Sequence, residues 1–122
     1  MKKQKRQTMR IFKSGATRDN DTQKLNYTGS LSPIVLKCFT EFMRKHNIKN
    51  GKLQRDESNW KKGMPKQSYM DSKFRHFMMT WLLHDKFIKN DKDNSKLIES
   101  LCAELFNTMG FLHVLLIKQK EK

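Results

Sequence analysis

Polar side chains that border apolar helix surfaces are the residues of this chain best suited to chemistry. His76, Glu99 and Asn107 lie in segments whose apolar residues recur every three or four positions. Glu99 and Asn107 are two helical turns apart and point the same way. Glu41 borders an earlier segment of the same kind. Carboxylates beside His and Asn suit an oxygen-rich Mg²⁺ or Mn²⁺ site.

The chemistry that such a site favours is phosphate-ester or phosphoanhydride hydrolysis. A bound ion would bridge phosphate oxygens and activate water. In this hypothesis Glu41, His76 and Glu99 are metal ligands, and His76, Glu99 and Asn107 are catalytic. Basic side chains would neutralise the remaining phosphate charge, and Arg binds phosphate with two parallel hydrogen bonds. The candidates for this role are Arg18, Lys61, Lys62 and Arg75.

Each of these residues also has an ordinary structural explanation. His76 would equally suit a hydrogen-bonded core or surface histidine, and Glu41 and Glu99 would equally suit solvated helix positions. Asn107 beside Gly110 would permit close helix packing. The spacing alone therefore leaves both interpretations open.

Three helices are predicted to position these side chains. The first begins at Ser32-Pro33, because Ser is a good N-cap and Pro fits the first helical position. It stops before the turn signal Asn50-Gly51. The second spans about residues 68–86, and the third spans about residues 95–118. The predicted fold is all-α, a small bundle of three main helices with ordered polar loops.

Two polar segments are predicted to be ordered loops. Residues 15–31 are rich in Gly, Asp, Asn, Thr and Ser, which favours a loop over a strand. Residues 52–66 hold Asn59 and Trp60. The Trp60 indole would either close the edge of the core or stack on a nucleotide base.

Charge defines the expected domain boundary and the expected partners. The net charge is +14, with a pI of about 10.0, so polyanions are the natural partners. We expect a flexible basic arm over residues 1–14, followed by a single domain over residues 15–118. The arm would contact nucleic acid without sequence specificity, or it would be a solvated tail.

The composition predicts a small core that is completed by association with a second copy of the chain. The mean hydropathy is −0.84, and eight Met residues contribute adaptable apolar volume. We therefore expect a homo-oligomer. Cys38 and Cys102 are predicted to be free thiols. We expect a cytoplasmic protein without a membrane segment, because the apolar stretch Phe111 to Ile117 is short.

A series of short blocks occurs in one order along residues 15 to 116. The blocks begin with Gly15-Ala16-Thr17-Arg18-Asp19 and Leu31-Ser32-Pro33, continue with Asn59-Trp60-Lys61-Lys62-Gly63 and Arg75-His76-Phe77, and end with Leu101-Cys102-Ala103 and Phe106-Asn107. Their order resembles the N-terminal domain of phage dATP/dGTP diphosphohydrolases. That family is similar to the all-α nucleotide pyrophosphohydrolases of the MazG and dimeric dUTPase type.

The resemblance implies cleavage of a deoxypurine triphosphate to the monophosphate and pyrophosphate with Mg²⁺ or Mn²⁺. It implies ligand roles for Glu41, His76, Glu99 and Asn107. It also implies substrate-binding roles for Arg18, Asn59, Trp60, Lys61 and Arg75. The resemblance implies a phage-encoded protein in the host cytoplasm that binds deoxynucleoside triphosphates.

The chain departs from that family at positions where acids are expected. Met79, Lys37 and Val114 stand at those positions, and fewer carboxylates mean weaker divalent-ion binding. The alternative hypothesis is therefore a catalytically inactive basic phage protein that binds nucleic acid or a virion or assembly partner. The enzyme hypothesis requires Glu41, His76 and Glu99 to converge in one pocket.

Overall fold

The structure, a computed structural model, describes residues 9–19 and 23–120 and is mostly helical. Its longer helices are α2 (Pro33–Asn47), α3 (Lys66–His84) and α4 (Ser95–Lys120), and a short helix α1 (Tyr27–Ser30) precedes them. The prediction of an all-α fold is confirmed at this level, and the three long helices lie close to their predicted bounds. The chain divides into two compact units, Met1–Ser32 and Pro33–Lys122.

The first unit contains a β-hairpin where the sequence predicted an arm and a loop. Strand β1 (Met9–Ile11) pairs antiparallel with β2 (Thr17–Asp19). Gly15 has a φ of 89° in the connecting turn, where glycine avoids strain. The prediction of a loop was wrong for Thr17–Asp19, because three-residue strands are too short to show alternation. Residues 1–8 of the predicted arm lie outside the described residues.

A second hairpin follows α2 in the larger unit. Strands β3 (Ile48–Lys49) and β4 (Lys52–Leu53) are joined by Asn50 and Gly51, whose φ angles are 53° and 76°. Two successive positive φ angles match the turn that Asn-Gly favours in tight hairpins. The predicted stop and turn are therefore confirmed, although the sequence analysis predicted no strands there.

Helices α3 and α4 form the most extensive packing contact and run antiparallel. Tyr69 near the start of α3 stacks on Phe111 near the end of α4, with ring centroids 5.8 Å apart. Thr80, further along α3, shares a 2.6 Å hydrogen bond with Ser100 near the start of α4. Tyr69 is 1% exposed, and its hydroxyl accepts a 3.1 Å hydrogen bond from the backbone N–H of Met64. This bond ties the loop before α3 to the core.

Helix α2 contacts α4 through a pair of cysteine thiols and an ion pair. The Sγ atoms of Cys38 and Cys102 lie 3.9 Å apart, and both thiols are free, as predicted. Burial, followed by the neighbouring Cys38, raises the pKa of Cys102 to about 11. Lys45 of α2 donates a 2.6 Å hydrogen bond to Glu99 of α4. These pairs hold α2 against α4.

The core is small for a chain of this length. Its buried apolar side chains among the described residues are Phe39, Tyr69, Leu83, Cys102 and Ala103. Helix α4 is long and apolar enough to cross a membrane by length and composition, and only 22% of its most apolar window is buried. A soluble core helix meets the same criterion when its neighbours cover it.

Candidate functional site

An open cleft of about 820 Å³ lies within the larger unit, between α2, α3, α4 and the loop that precedes α3. Ser72, His76 and Met79 line it from α3. Glu99, Ala103 and Asn107 line it from α4. Glu99 and Asn107, which helical spacing places on one side of α4, therefore border the same space as His76 of α3.

The loop between β4 and α3 forms the wall that faces these side chains. Asn47 of α2 anchors it by donating a 2.7 Å hydrogen bond to the Arg55 carbonyl and accepting a 3.2 Å bond from the Arg55 N–H. A 3₁₀ turn, Asn59–Lys62, then brings Asn59, Trp60 and Lys62 to the cleft. The turn ends at Gly63, which approaches Val114 of α4 and has a φ of 82°. A side chain at Gly63 would strain this close approach.

Aromatic and apolar side chains make one part of the cleft suitable for a planar ligand. Trp60 is half-buried and meets His113 of α4 edge-on, with ring centroids 5.0 Å apart. Phe42 and Phe106 also line the cleft. Trp60 thus packs against α4 and presents surface to the cleft, so both roles considered for it are compatible with its position.

Each acid of the cleft has a partner within the protein. Lys45 binds Glu99 at 2.6 Å, and Arg44 binds Glu57 at 2.8 Å. The hydrogen bond from Lys45, opposed only in part by burial, lowers the pKa of Glu99. Asp56 accepts bonds from the Ser58 hydroxyl and N–H at 2.6 and 2.8 Å, which lower its pKa. The lowered pKa values keep Asp56 and Glu99 ionised at neutral pH.

Basic residues outnumber acids around the cleft. Three acids line it together with three bases, and their charged partners add two bases, Arg44 and Lys45, and one acid, Asp91, which gives five bases and four acids. The bases are Arg44, Lys45, Arg55, Lys62 and Lys96. A surplus of positive charge beside an aromatic wall favours an anionic ligand with a planar group.

The predicted divalent-ion site does not fit this geometry. Over residues 9–19 and 23–120, no three His, Cys, Asp or Glu side chains converge in a way that would hold a metal ion. Glu41 does not line the cleft. It is exposed and binds Lys37, one turn earlier, at 2.9 Å. Because Glu99 is engaged by Lys45, His76 is left without a converging pair of carboxylates.

The other predicted residues fall into two groups. Asn59, Trp60, His76, Glu99 and Asn107 line the cleft. Lys61 and Arg75 are exposed and do not line it. Arg18 pairs with Arg10 across the hairpin of the first unit and is described within that unit alone.

Asn107 is the most enclosed polar residue of the site. It is 2% exposed, and its side-chain amide donates a 2.8 Å hydrogen bond to the Ala103 carbonyl one turn earlier. His76 is half-buried, and its backbone carbonyl accepts a 3.0 Å bond from Ser100. These bonds fix the helix surfaces that form the floor of the cleft.

Arg55, Lys96 and Phe106 line the cleft, although no binding role was predicted for them. Phe106 belongs to an apolar stripe of α4 whose spacing predicts core positions. Arg55 and Lys96 lie among many other bases, so nothing in the sequence distinguishes them.

A smaller depression lies between the 3₁₀ turn and the end of α4. It is lined by Lys61, Lys62, His113, Val114, Ile117 and Lys118. Lys62 borders both spaces, which extends the positive charge from the cleft to the surface.

Comparison with known proteins found no matching family model, no matching curated protein and no matching solved structure.

Proposed function

We propose that this protein binds a purine deoxynucleoside triphosphate in the cleft. The observation that carries the proposal is the combination of the Trp60 aromatic wall with surplus positive charge in a space of about 820 Å³. A base would pack near Trp60 and Phe106. The phosphates would contact Arg55 and Lys62 through charge-assisted hydrogen bonds.

The reaction implied by the family resemblance is hydrolysis to the monophosphate and pyrophosphate. We propose that this protein is a weakened or inactive form of such an enzyme. Met79 lines the cleft three residues after His76, at a position where the resemblance implies a carboxylate. A thioether is a poor ligand for Mg²⁺, which prefers oxygen.

Nucleotide binding is tested by intrinsic Trp fluorescence with dATP, dGTP, dCTP and dTTP. Lys62→Ala should weaken binding about tenfold or more, because a hydrogen bond to a charged group contributes about 1.5–3 kcal/mol. Lys66→Ala is the matched control, since Lys66 is a nearby exposed lysine that does not line the cleft. Equal weakening by the two variants, or no binding of any nucleotide, would refute the proposed site.

The proposal that this protein is a weakened form of a hydrolase is tested separately, by placing an acid at position 79. Met79→Asp should raise pyrophosphate release from dATP or dGTP in the presence of Mg²⁺ or Mn²⁺. Met78→Asp is the control, because Met78 is the neighbouring methionine and does not line the cleft. A gain with both variants, or with neither, would argue against a lost carboxylate at position 79.

A second candidate function is non-specific nucleic-acid binding, favoured by 26 Lys and Arg residues against 12 Asp and Glu. Such binding weakens steeply with salt, since phosphate contacts release counterions. Electrophoretic mobility shifts with DNA and RNA at rising NaCl would measure it. Deletion of residues 1–8, which precede strand β1, should reduce the binding if the basic arm provides the contacts.

A further inference from the structure

Helix α3 carries a stripe of large apolar side chains that the rest of the larger unit leaves exposed. It consists of Met70, Phe74, Phe77 and Trp81, which are 47 to 66% exposed. Their spacing of four, three and four residues places them on one side of the helix. The cleft residues Ser72 and His76 lie on the other side of α3.

Helix α4 carries a matching exposed stripe. It consists of Ile98, Leu101, Leu105, Leu112, Leu115 and Leu116, which are 38 to 53% exposed. Ala103 and Asn107, which line the cleft, lie about half a turn from Leu105. The stripe of α4 therefore also faces away from the cleft.

The two stripes form one continuous surface, which we name the α3–α4 face. The two helices pack antiparallel, and a 2.9 Å hydrogen bond from Lys73 to Thr108 crosses between them. Thr108 lies within the stripe of α4, midway between Leu105 and Leu112. The face is thus two helices wide and several turns long.

We propose that a second copy of this chain covers the α3–α4 face. Ten roughly half-exposed side chains, each about 200 Å² in full, leave on the order of 1,000 Å² uncovered per copy. A standard stable interface buries roughly 800 Å² per partner. The area of the face is therefore sufficient for a stable dimer.

The composition and the charge of the face both suit self-association. A twofold axis would place the face of one copy against the same face of the other, so that apolar side chains meet apolar side chains. From Leu97 to Ile117, α4 has no Lys or Arg, in a chain that contains 26. The α4 half of the face therefore carries no basic side chain, and Lys73 of α3 lies between the two stripes with its ammonium bound to Thr108.

A lipid bilayer is the competing occupant, because α4 alone meets the length and hydropathy of a membrane span. The polar residues on the cleft side of α4 argue against a bilayer. Ser100 and Asn107 are buried there, and Ser100 is hydrogen-bonded to α3. A lone span would lose these contacts and place polar groups in hydrocarbon, which is costly. A second copy covers the apolar stripe while leaving this packing intact.

The experiment measures the mass of the full-length chain by sedimentation equilibrium over about 1–100 µM, a range that spans micromolar dissociation constants. We expect a dimer for the wild type. Phe74→Glu and Leu112→Glu should each raise the dimer dissociation constant by about a hundredfold or more, because each would bury a charge. Both side chains are more than half exposed, so the substitutions leave the core of each copy intact.

Phe87→Glu is the matched control. Phe87 is 79% exposed and lies after α3, outside the α3–α4 face. It should leave the dimer unchanged, and far-UV circular dichroism should show the same helicity for all variants. A monomeric wild type, or dimers that survive both Phe74→Glu and Leu112→Glu, would overturn the proposal. Flotation of a monomeric wild type with phosphatidylcholine vesicles, lost in Leu112→Glu, would favour the bilayer instead.

The α3–α4 face and the cleft lie on opposite sides of α3 and α4, so formation of the dimer does not require nucleotide binding. A dimer that binds no nucleotide would leave this proposal standing and refute only the proposed function.

Discussion

At the scale of single residues, the partners of the acids decide what the cleft is suited to bind. Glu41, Glu57 and Glu99 each bind a base of the same unit at 2.9 Å or less. A carboxylate already paired with Lys or Arg is a weaker ligand for a divalent ion, since the ion must displace the base. Glu41 also lies outside the cleft, so removing Lys37 would free its carboxylate without bringing it to His76 and Glu99.

The Lys45–Glu99 pair should make stability depend on pH in a defined direction. The pKa of Glu99 is lowered in the folded protein, chiefly by the hydrogen bond from Lys45. Its contribution is therefore present above the unfolded carboxyl pKa of about 4.3 and is lost as the pH falls through the lower folded value. The contribution should be below about 1 kcal/mol, because both side chains are substantially exposed.

Glu99→Gln tests this dependence by urea unfolding between pH 7 and pH 3. The difference in free energy of unfolding between wild type and Glu99→Gln should be constant above about pH 5 and vanish in acid. It should also shrink at high salt. A difference that grows as the pH falls would contradict the assigned pair.

Gly110 should resist substitution because of its closeness to Tyr69. A Cβ at position 110 would lie 2.7 Å from Cε1 of Tyr69, whose ring is buried. Gly110→Ala should lower the free energy of unfolding by on the order of 1 kcal/mol, since overpacking exceeds the helical preference of Ala. In a Tyr69→Leu background the same change should become neutral or stabilising. Equal costs in both backgrounds would exclude the clash as the cause.

At the scale of elements, hydrogen bonds between hydroxyls set the register of α3 on α4. The Thr80 hydroxyl lies 2.5 Å from a carboxylate oxygen of Glu104, 2.6 Å from the Ser100 hydroxyl and 3.1 Å from the His76 carbonyl, and its single proton is donated to one of them at a time. Ser100 in turn reaches the His76 carbonyl. This cluster fixes the part of α3 that presents His76 and Met79 to the cleft.

Thr80→Val should destabilise the protein by about 1–3 kcal/mol, because it removes a donor from partly buried acceptors while keeping the shape of the side chain. Thr80→Ser retains the hydroxyl and serves as the control. Denaturant unfolding of both variants measures the difference. If Thr80→Val is as stable as Thr80→Ser, the cluster does not contribute to the packing of α3 on α4.

At the scale of the whole molecule, positive charge opposes the compact state. With a net charge of +14, repulsion among bases should destabilise the fold at low ionic strength. The melting temperature should therefore rise between about 0.02 and 0.5 M NaCl as the screening length shortens. KCl at the same concentrations should give the same shift. A melting temperature that falls with either salt would show that attractive ion pairs outweigh the repulsion.

The sequence predicted the long helices because their signals are local. Pro33 at a helix start, Asn50-Gly51 at a turn and apolar residues at helical spacing act within a few residues of one another. The short strands at Met9–Ile11 and Thr17–Asp19 have no comparable signal, since their pairing provides the stabilisation. Asn107 and Arg55 differ in the same way. The helical position of Asn107 was enough to place it on the cleft side of α4. The position of Arg55 depends on its hydrogen bonds to Asn47, which the local sequence does not indicate.

The sequence alone determined the helical class, the turn at Asn50-Gly51, the strong positive charge and the polar stripes through His76 and Asn107. Tertiary structure decided which side chains meet. It paired Glu41 with Lys37 and Glu99 with Lys45, and it left the α3–α4 face uncovered. The physical reason is that helical periodicity fixes the direction of a side chain on its own helix. The approach and rotation of neighbouring helices fix its partners, and these depend on the packing of the whole unit.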